Sequence, residues 1–178
     1  MYQEVISFWF NELEPPQWWQ KDEALDATIK ARFSSLHQQA KAGELSEWRT
    51  TALGCLAEII LIDQFSRNIY RDTPDSFAND TLGLALAQFA ISKGFDAELS
   101  QTERGFMYLP FMHSESKKMH VEAVVLYEKL GNPYNLEFEH KHKAIIDRFG
   151  RYPHRNAILG RASTDEEIEF LKQPDSSF

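Results

Sequence analysis

Residues 52–71 read A-L-G-C-L-A-E-I-I-L-I-D-Q-F-S-R-N-I-Y-R. From Ala52 to Ile62 only Glu58 interrupts an apolar run, and Ile59 to Ile62 is apolar on every face of a helix. A helix apolar all round is buried. The run falls short of the ~20 residues that span a bilayer. It therefore predicts a central rod, a helix from about Trp48 to Tyr70. Cys55, the chain's one cysteine, sits inside it and excludes an internal disulfide; a small buried thiol is the expected role. The rod ends in a polar stripe in which Asp63 and Arg67 are four apart, Gln64 and Asn68 are four apart, and Arg71 lies one further turn on. One reading is an Asp63–Arg67 pair within the helix with solvated ends. The other is that Arg67, Asn68 and Arg71 face a pocket, since the planar guanidinium grips carboxylate or phosphate in bidentate fashion.

The pattern stays helical on both sides of the rod. Val5, Ile6, Trp9 and Leu13 form a short apolar face that Pro15-Pro16 ends. Asp22 is placed to cap a helix carrying Leu25, Ile29, Phe33, Leu36 and Ala40 at three-to-four spacing, with Gly43 as its stop. Asp80 is placed to cap the next helix, which ends at Gly94. Ser100 and Glu103 form a capping box, and Pro110 should end or kink the helix they open. A sixth helix runs to Leu130, Gly131-Asn132-Pro133 makes a turn, a seventh covers about 135–149 before Gly150, and Thr164 with Glu167 opens a last short one. No segment alternates with period two. Short connections favour antiparallel neighbours. The expected fold is all-α, about seven to eight helices in stacked antiparallel pairs, one domain over residues 1–178.

Two further polar clusters carry chemistry. Leu109 to Ser116 reads L-P-F-M-H-S-E-S. His113 beside Glu115 suits a general acid or base with an orienting carboxylate; the plainer role is Ser114 capping a helix with Glu115 in its first turn. Arg148 to Arg161 reads R-F-G-R-Y-P-H-R-N-A-I-L-G-R, with four of the chain's nine arginines and no acid, in a chain of net charge −8. Such a local inversion of sign either holds an anion or ties acids from elsewhere into ion pairs. No metal or cofactor is expected: His140 and His142 diverge by about 200° on a helix, and Glu137-x-x-His140 is only half of a di-iron pattern. Phe8-Trp9-Phe10 and Trp18-Trp19 are expected in the core.

A hydrophobic fraction of 43% fits a packed globule. A pI near 5.2 argues against non-specific nucleic-acid binding. With no basic n-region or spanning segment, the expected place is the cytoplasm, without a membrane partner.

Taken together, V-I-S-F-W-F, W-W-Q-K-D-E-A-L-D-A-T-I-K-A-R-F, D-Q-F-S-R-N-I-Y-R, Y-L-P-F-M-H-S-E, F-G-R-Y-P-H-R-N-A-I-L-G-R-A-S-T and E-F-L-K-Q-P-D-S-S-F resemble, end to end, a bacterial family numbered nine-two-four among the unknown-function domains. The resemblance implies a tetratricopeptide-repeat-like helical fold and no established activity. Its recurrent polar positions correspond to Asp63, Gln64, Arg67, Asn68, Arg71, His113, Ser114, Glu115, His142, Arg148, Arg151, His154, Arg155, Asn156 and Arg161. Ser66 and Tyr152 depart from the pattern, which commonly has proline and phenylalanine there.

The functional expectation is a binding module. Arg67, Asn68, Arg71, His142, Arg148, Arg151, Arg155, Asn156 and Arg161 would bind an anionic small molecule or acidic peptide. The alternative is a small hydrolase or transferase in which His113 or His154 acts as general acid/base, oriented by Asp63 or Glu115. A third possibility is an ion-pair network with no ligand. Whether the chain is an enzyme, and its oligomeric state, are left open.

Overall fold

The structure, a computed structural model, describes residues 1–177; Phe178, the last residue of the C-terminal motif, lies outside them. The elements are α1 (Tyr2–Ser7), α2 (Glu23–Lys41), α3 (Ala52–Ile60), α4 (Ser66–Ile69), α5 (Asp80–Ser92), α6 (Gln101–Met112), α7 (Lys117–Leu130), α8 (Pro133–Phe149) and α9 (Asp165–Phe170), with no strand among the described residues. Consecutive helices pack on one another from α5 to α8, and α3 touches α1, α5 and α6. The fold is all-α. None of these helices is long and apolar enough to cross a membrane.

The rod is where residues 52–71 place it. Leu56, Ala57 and Ile60 to Ile62 are fully buried, and Cys55 is buried, with its thiol pushed up by burial to about 11. Glu58 survives in this core because Arg49 grips both its oxygens at 2.7 Å. The helix begins at Ala52, later than expected. Thr51 is extended and its hydroxyl accepts from the Gly54 amide, so Trp48 falls in a separate turn, Ser46–Thr50. Between α3 and α4 the rod widens to a π-helical turn, Leu61–Phe65. That turn carries Asp63 and Gln64, and π-turns frequently mark functional positions.

Most helix ends follow local chemistry. Asp22 accepts from the Ala24 and Leu25 amides, and both capping boxes, Ser100 with Glu103 and Thr164 with Glu167, are formed. Three ends differ from expectation. Asp80 is the first residue of α5 and not its cap; two arginines have claimed its carboxylate. Pro110 does not end α6, which runs on to Met112. So close to the helix end, proline forfeits only the bond to the Phe106 carbonyl. Pro133 opens α8 as its first residue, where its missing N–H costs nothing, and Asn132 caps it.

Candidate functional site

Five side chains from five places in the sequence close into a ring. His113, at the C-terminal end of α6, places Nδ1 2.7 Å from Asp63 Oδ1 in the π-turn. The same Asp63 oxygen lies 3.2 Å from Arg67 Nη1. Arg67 spans both oxygens of Asp80 at 3.0 and 3.1 Å. Arg155, from the turn Pro153–Arg155, donates to Asp80 Oδ2 at 3.2 Å and to the His113 carbonyl at 2.9 Å, which closes the circuit. Gln64 also donates to Asp63, at 2.6 Å. Arg155 lies between the rings of Phe77 and Tyr152, at 4.5 and 4.6 Å.

The protonation states follow. Burial pushes the Asp63 carboxyl up, but Arg67 and His113 outweigh it and hold the group well below the usual carboxylate range. Burial, with the Arg67 charge, pulls His113 down despite Asp63. A neutral imidazole facing an ionised carboxylate must carry its proton on Nδ1. Its Nε2 therefore keeps a lone pair, and Nε2 has no partner among the described residues.

His113 lines a cavity of about 500 Å3, within the range of small-molecule sites. The floor is His113, Arg67 and Arg155, with His142, Tyr152 and His154 alongside; Arg71 and Asn68 continue the α4 side, and Lys21 stands at the mouth. The lining also carries an apolar, largely aromatic set, Trp18, Trp19, Phe106, Leu109, Tyr134 and Phe138, along with the polar Gln101, Thr102, Asn132 and Asn135. Trp19 stacks on Phe106 at 5.5 Å with planes 7° apart, and Trp18 meets the same ring edge-on at 5.0 Å. The lining thus has four cationic side chains and, among the described residues, no carboxylate. The acids sit behind the cations: Asp26 holds Arg71 through both oxygens and accepts from Asn68, and Asp72 meets Lys21 at 2.8 Å. Trp19 is 58% exposed, so it is not the core residue expected, whereas Phe8 and Trp9 are.

The rest of the arginine-rich segment turns away from the cavity. Arg161 spans Glu115 at 2.7 and 2.9 Å and also reaches Asn156. Glu115 accepts from the Tyr152 amide in addition. Arg151 spans both oxygens of Glu167 at 2.7 and 2.8 Å, and Asn156 donates to that carboxylate too. Arg148 pairs with Glu166 on the surface. Arg148, Arg151, Arg161, Asn156 and Glu115 therefore form a second network that ties the 148–161 segment to α9 and to the start of α7. The structure brings Arg67, Asn68, Arg71, His113, His142, His154 and Arg155 together at the cavity, buries Asp63 beneath His113 and Arg67, and leaves those five elsewhere. Ser114 does not cap α7; its hydroxyl accepts from the Ser116 amide.

Three further histidines are held neutral by burial. Burial, and the charge of Arg155, lower His154 to about 4. Burial lowers His142 to about 3 and His37 to about 4. Both departures from the family pattern add a hydroxyl that is used. Ser66 Oγ lies 2.8 Å from His37 Nε2, and Tyr152 donates to the Met112 carbonyl. Among the described residues no three His, Cys, Asp or Glu are grouped to hold a metal ion.

Residues 5–175 match a family described as bacterial protein of unknown function, DUF924. The chain belongs to that family. It is also similar to a solved structure of a protein of unknown function from Agrobacterium tumefaciens, with 38% identity, a TM-score of 0.92 and coverage of 96% of each chain. No curated protein matches it.

What sequence reasoning missed is the acids and the aromatic wall. From the sequence Asp80 reads as a helix cap and Asp26 is not singled out, since both lie near helix N-termini, where carboxylates are common for dipole reasons alone. Nothing local distinguishes an acid that serves the dipole from one that also anchors a distant arginine.

Proposed function

We propose that the cavity binds a small organic anion that also carries a flat apolar group. The observation that carries this is the lining: four cations and no acid in a chain of net charge −8, together with stacked aromatic rings. Arginines held from behind by carboxylates are fixed in position before a ligand arrives, so less side-chain entropy is lost on binding. The ligand's acidic group would meet Arg71, Arg67 and Lys21, and its ring would lie against Trp19 and Phe106. A 500 Å3 cavity suits a metabolite better than a protein surface does, so a small molecule is favoured over an acidic peptide.

Trp18 and Trp19 provide the assay. Titration with 4-phenylbutyrate should quench or shift tryptophan emission saturably, while acetate and benzyl alcohol, each supplying half of the chemistry, should act weakly. Arg71→Ala should weaken the response about tenfold or more. Identical responses to all three compounds, or an unchanged Arg71→Ala titration, would remove the proposal.

The second network supports a different role for the remaining arginines. Arg151, Arg161 and Arg148 are spent on Glu167, Glu115 and Glu166, and this favours a scaffold that docks α9.

A further inference from the structure

We propose that Asp63 and His113 form a general-base dyad that hydrolyses a carboxylic ester held in this cavity. The inference rests on the ligand site above and adds a reaction to it. A buried carboxylate fixes the imidazole through Nδ1 at 2.7 Å, as the same Asp63 oxygen is tied to Arg67 and the other accepts from Gln64. Arg155 donates to the backbone carbonyl of His113, which holds the end of α6 that carries the ring. What remains is Nε2, the free nitrogen of a side chain that lines the cavity. Such an arrangement sets the tautomer and orientation needed to take a proton.

The nucleophile is water. Among the described lining residues no serine or cysteine is present, Thr102 stands at the start of α6 while His113 is at its end, and the thiol of Cys55 is buried elsewhere. His113 Nε2 takes a proton from water as the oxygen bonds to the acyl carbon, and the carbonyl π pair moves onto its oxygen. Collapse of that intermediate breaks the bond to the leaving oxygen, which takes the proton back from Nε2 as it departs. The sum is ester plus water to acid plus alcohol. The Arg67 guanidinium, bound to the same Asp63 oxygen as the imidazole, is the cation for the transient oxyanion.

The charge balance selects the acyl centre. Arg67 and Arg155 are already matched by Asp63 and Asp80. As His113 takes its proton the ring gains one positive charge, which matches one transient negative charge. A phosphoryl transition state would set two negative charges against that single gained proton.

The mono-4-nitrophenyl ester of succinate is the probe, with a carboxylate at one end and a ring at the other. Wild type should release nitrophenolate saturably, with a rate that rises with pH through the His113 titration and then levels. His113→Asn, whose amide still donates to Asp63, should lower kcat by about 100-fold or more while melting as wild type. His113→Ala should regain activity on addition of imidazole. Asp63 is a positioning residue, so Asp63→Asn should lower kcat with little change in KM. If wild type binds 4-phenylbutyrate but hydrolyses the ester no faster than buffer, or if His113→Asn keeps full activity, the dyad is overturned and the ligand site stands. His113-dependent hydrolysis without phenylbutyrate binding would overturn the ligand assignment and keep the dyad. Failure of both measurements removes both.

Discussion

Asp80 shows how one side chain can be read correctly as to place and wrongly as to role. It begins α5, as an acid near a helix N-terminus should, but its oxygens serve Arg67 and Arg155. The two arginines are unequal. Arg67→Gln strips charge from Asp63, which is 1% exposed, and leaves it only His113 and Gln64. Urea unfolding should show a loss of about 3–5 kcal/mol, the cost of stranding a buried charge. Arg155→Gln leaves Asp80 with Arg67 and deprives only the His113 carbonyl of its donor, so about 1–3 kcal/mol is expected. The reverse order would mean that Asp63 does not need Arg67. Protons test the same interior. His37, His142 and His154 sit at about 4, 3 and 4 in the fold and near 6.5 when unfolded. Their contribution is complete above about pH 6.5. It is lost as pH falls, because the unfolded chain takes up protons that the fold refuses, at up to about 1.4 kcal/mol per unit for each. Glu139, raised by burial, pulls the other way but is one group against three. The urea midpoint should drop markedly from pH 7.5 to 5; a flat profile would refute the buried neutral histidines.

At the scale of elements, the rod and its neighbours were legible because their signals are local. Asp22, Ser100 with Glu103, and Thr164 with Glu167 each act within three residues, and all three caps formed. The start of the rod was not legible. Trp48 continues the apolar pattern, and only the extended backbone at Thr51 separates it. The same corner sets a steric limit. A Cβ on Gly54 would lie 2.0 Å from the Trp48 carbonyl oxygen, whereas one on Gly83 meets nothing nearer than 3.4 Å. Gly54→Ala should cost about 1–3 kcal/mol or more. Gly83→Ala, inside α5, should be near neutral by thermal melting, since the added methyl meets ordinary van der Waals contact. Equal effects would place the start of the rod elsewhere.

Across the whole molecule, the ion pairs do two jobs that the sequence merges into one. The acid-free stretch of 148–161 suggests a single pocket, but its partners lie 16 to 75 residues away and divide it. Arg155 faces inward to the ring, Arg148 and Arg151 clamp α9, and Arg161 holds Glu115 before α7. Sequence spacing carries no information about contacts at that range, nor about the meeting of Trp19 with Phe106 that makes the apolar wall. The clamp predicts a local effect. Glu115→Ala frees Arg161 and the Tyr152 amide together. Hydrogen exchange should then speed up over 150–170 while α3 stays protected. Uniform acceleration through the rod would show that the segment is not a separable clamp.

The central claim is that the cavity lined by the aromatic set and the arginines takes an anion bearing a flat group. Its most direct test is a crystal structure with 4-phenylbutyrate. The account predicts the ring against Trp19 and Phe106, with the carboxylate within hydrogen-bond distance of Arg71, Arg67 or Lys21. A cavity still filled with water at saturating ligand, or a carboxylate seated on the α9 clamp beside Arg151 and Arg161, would contradict it.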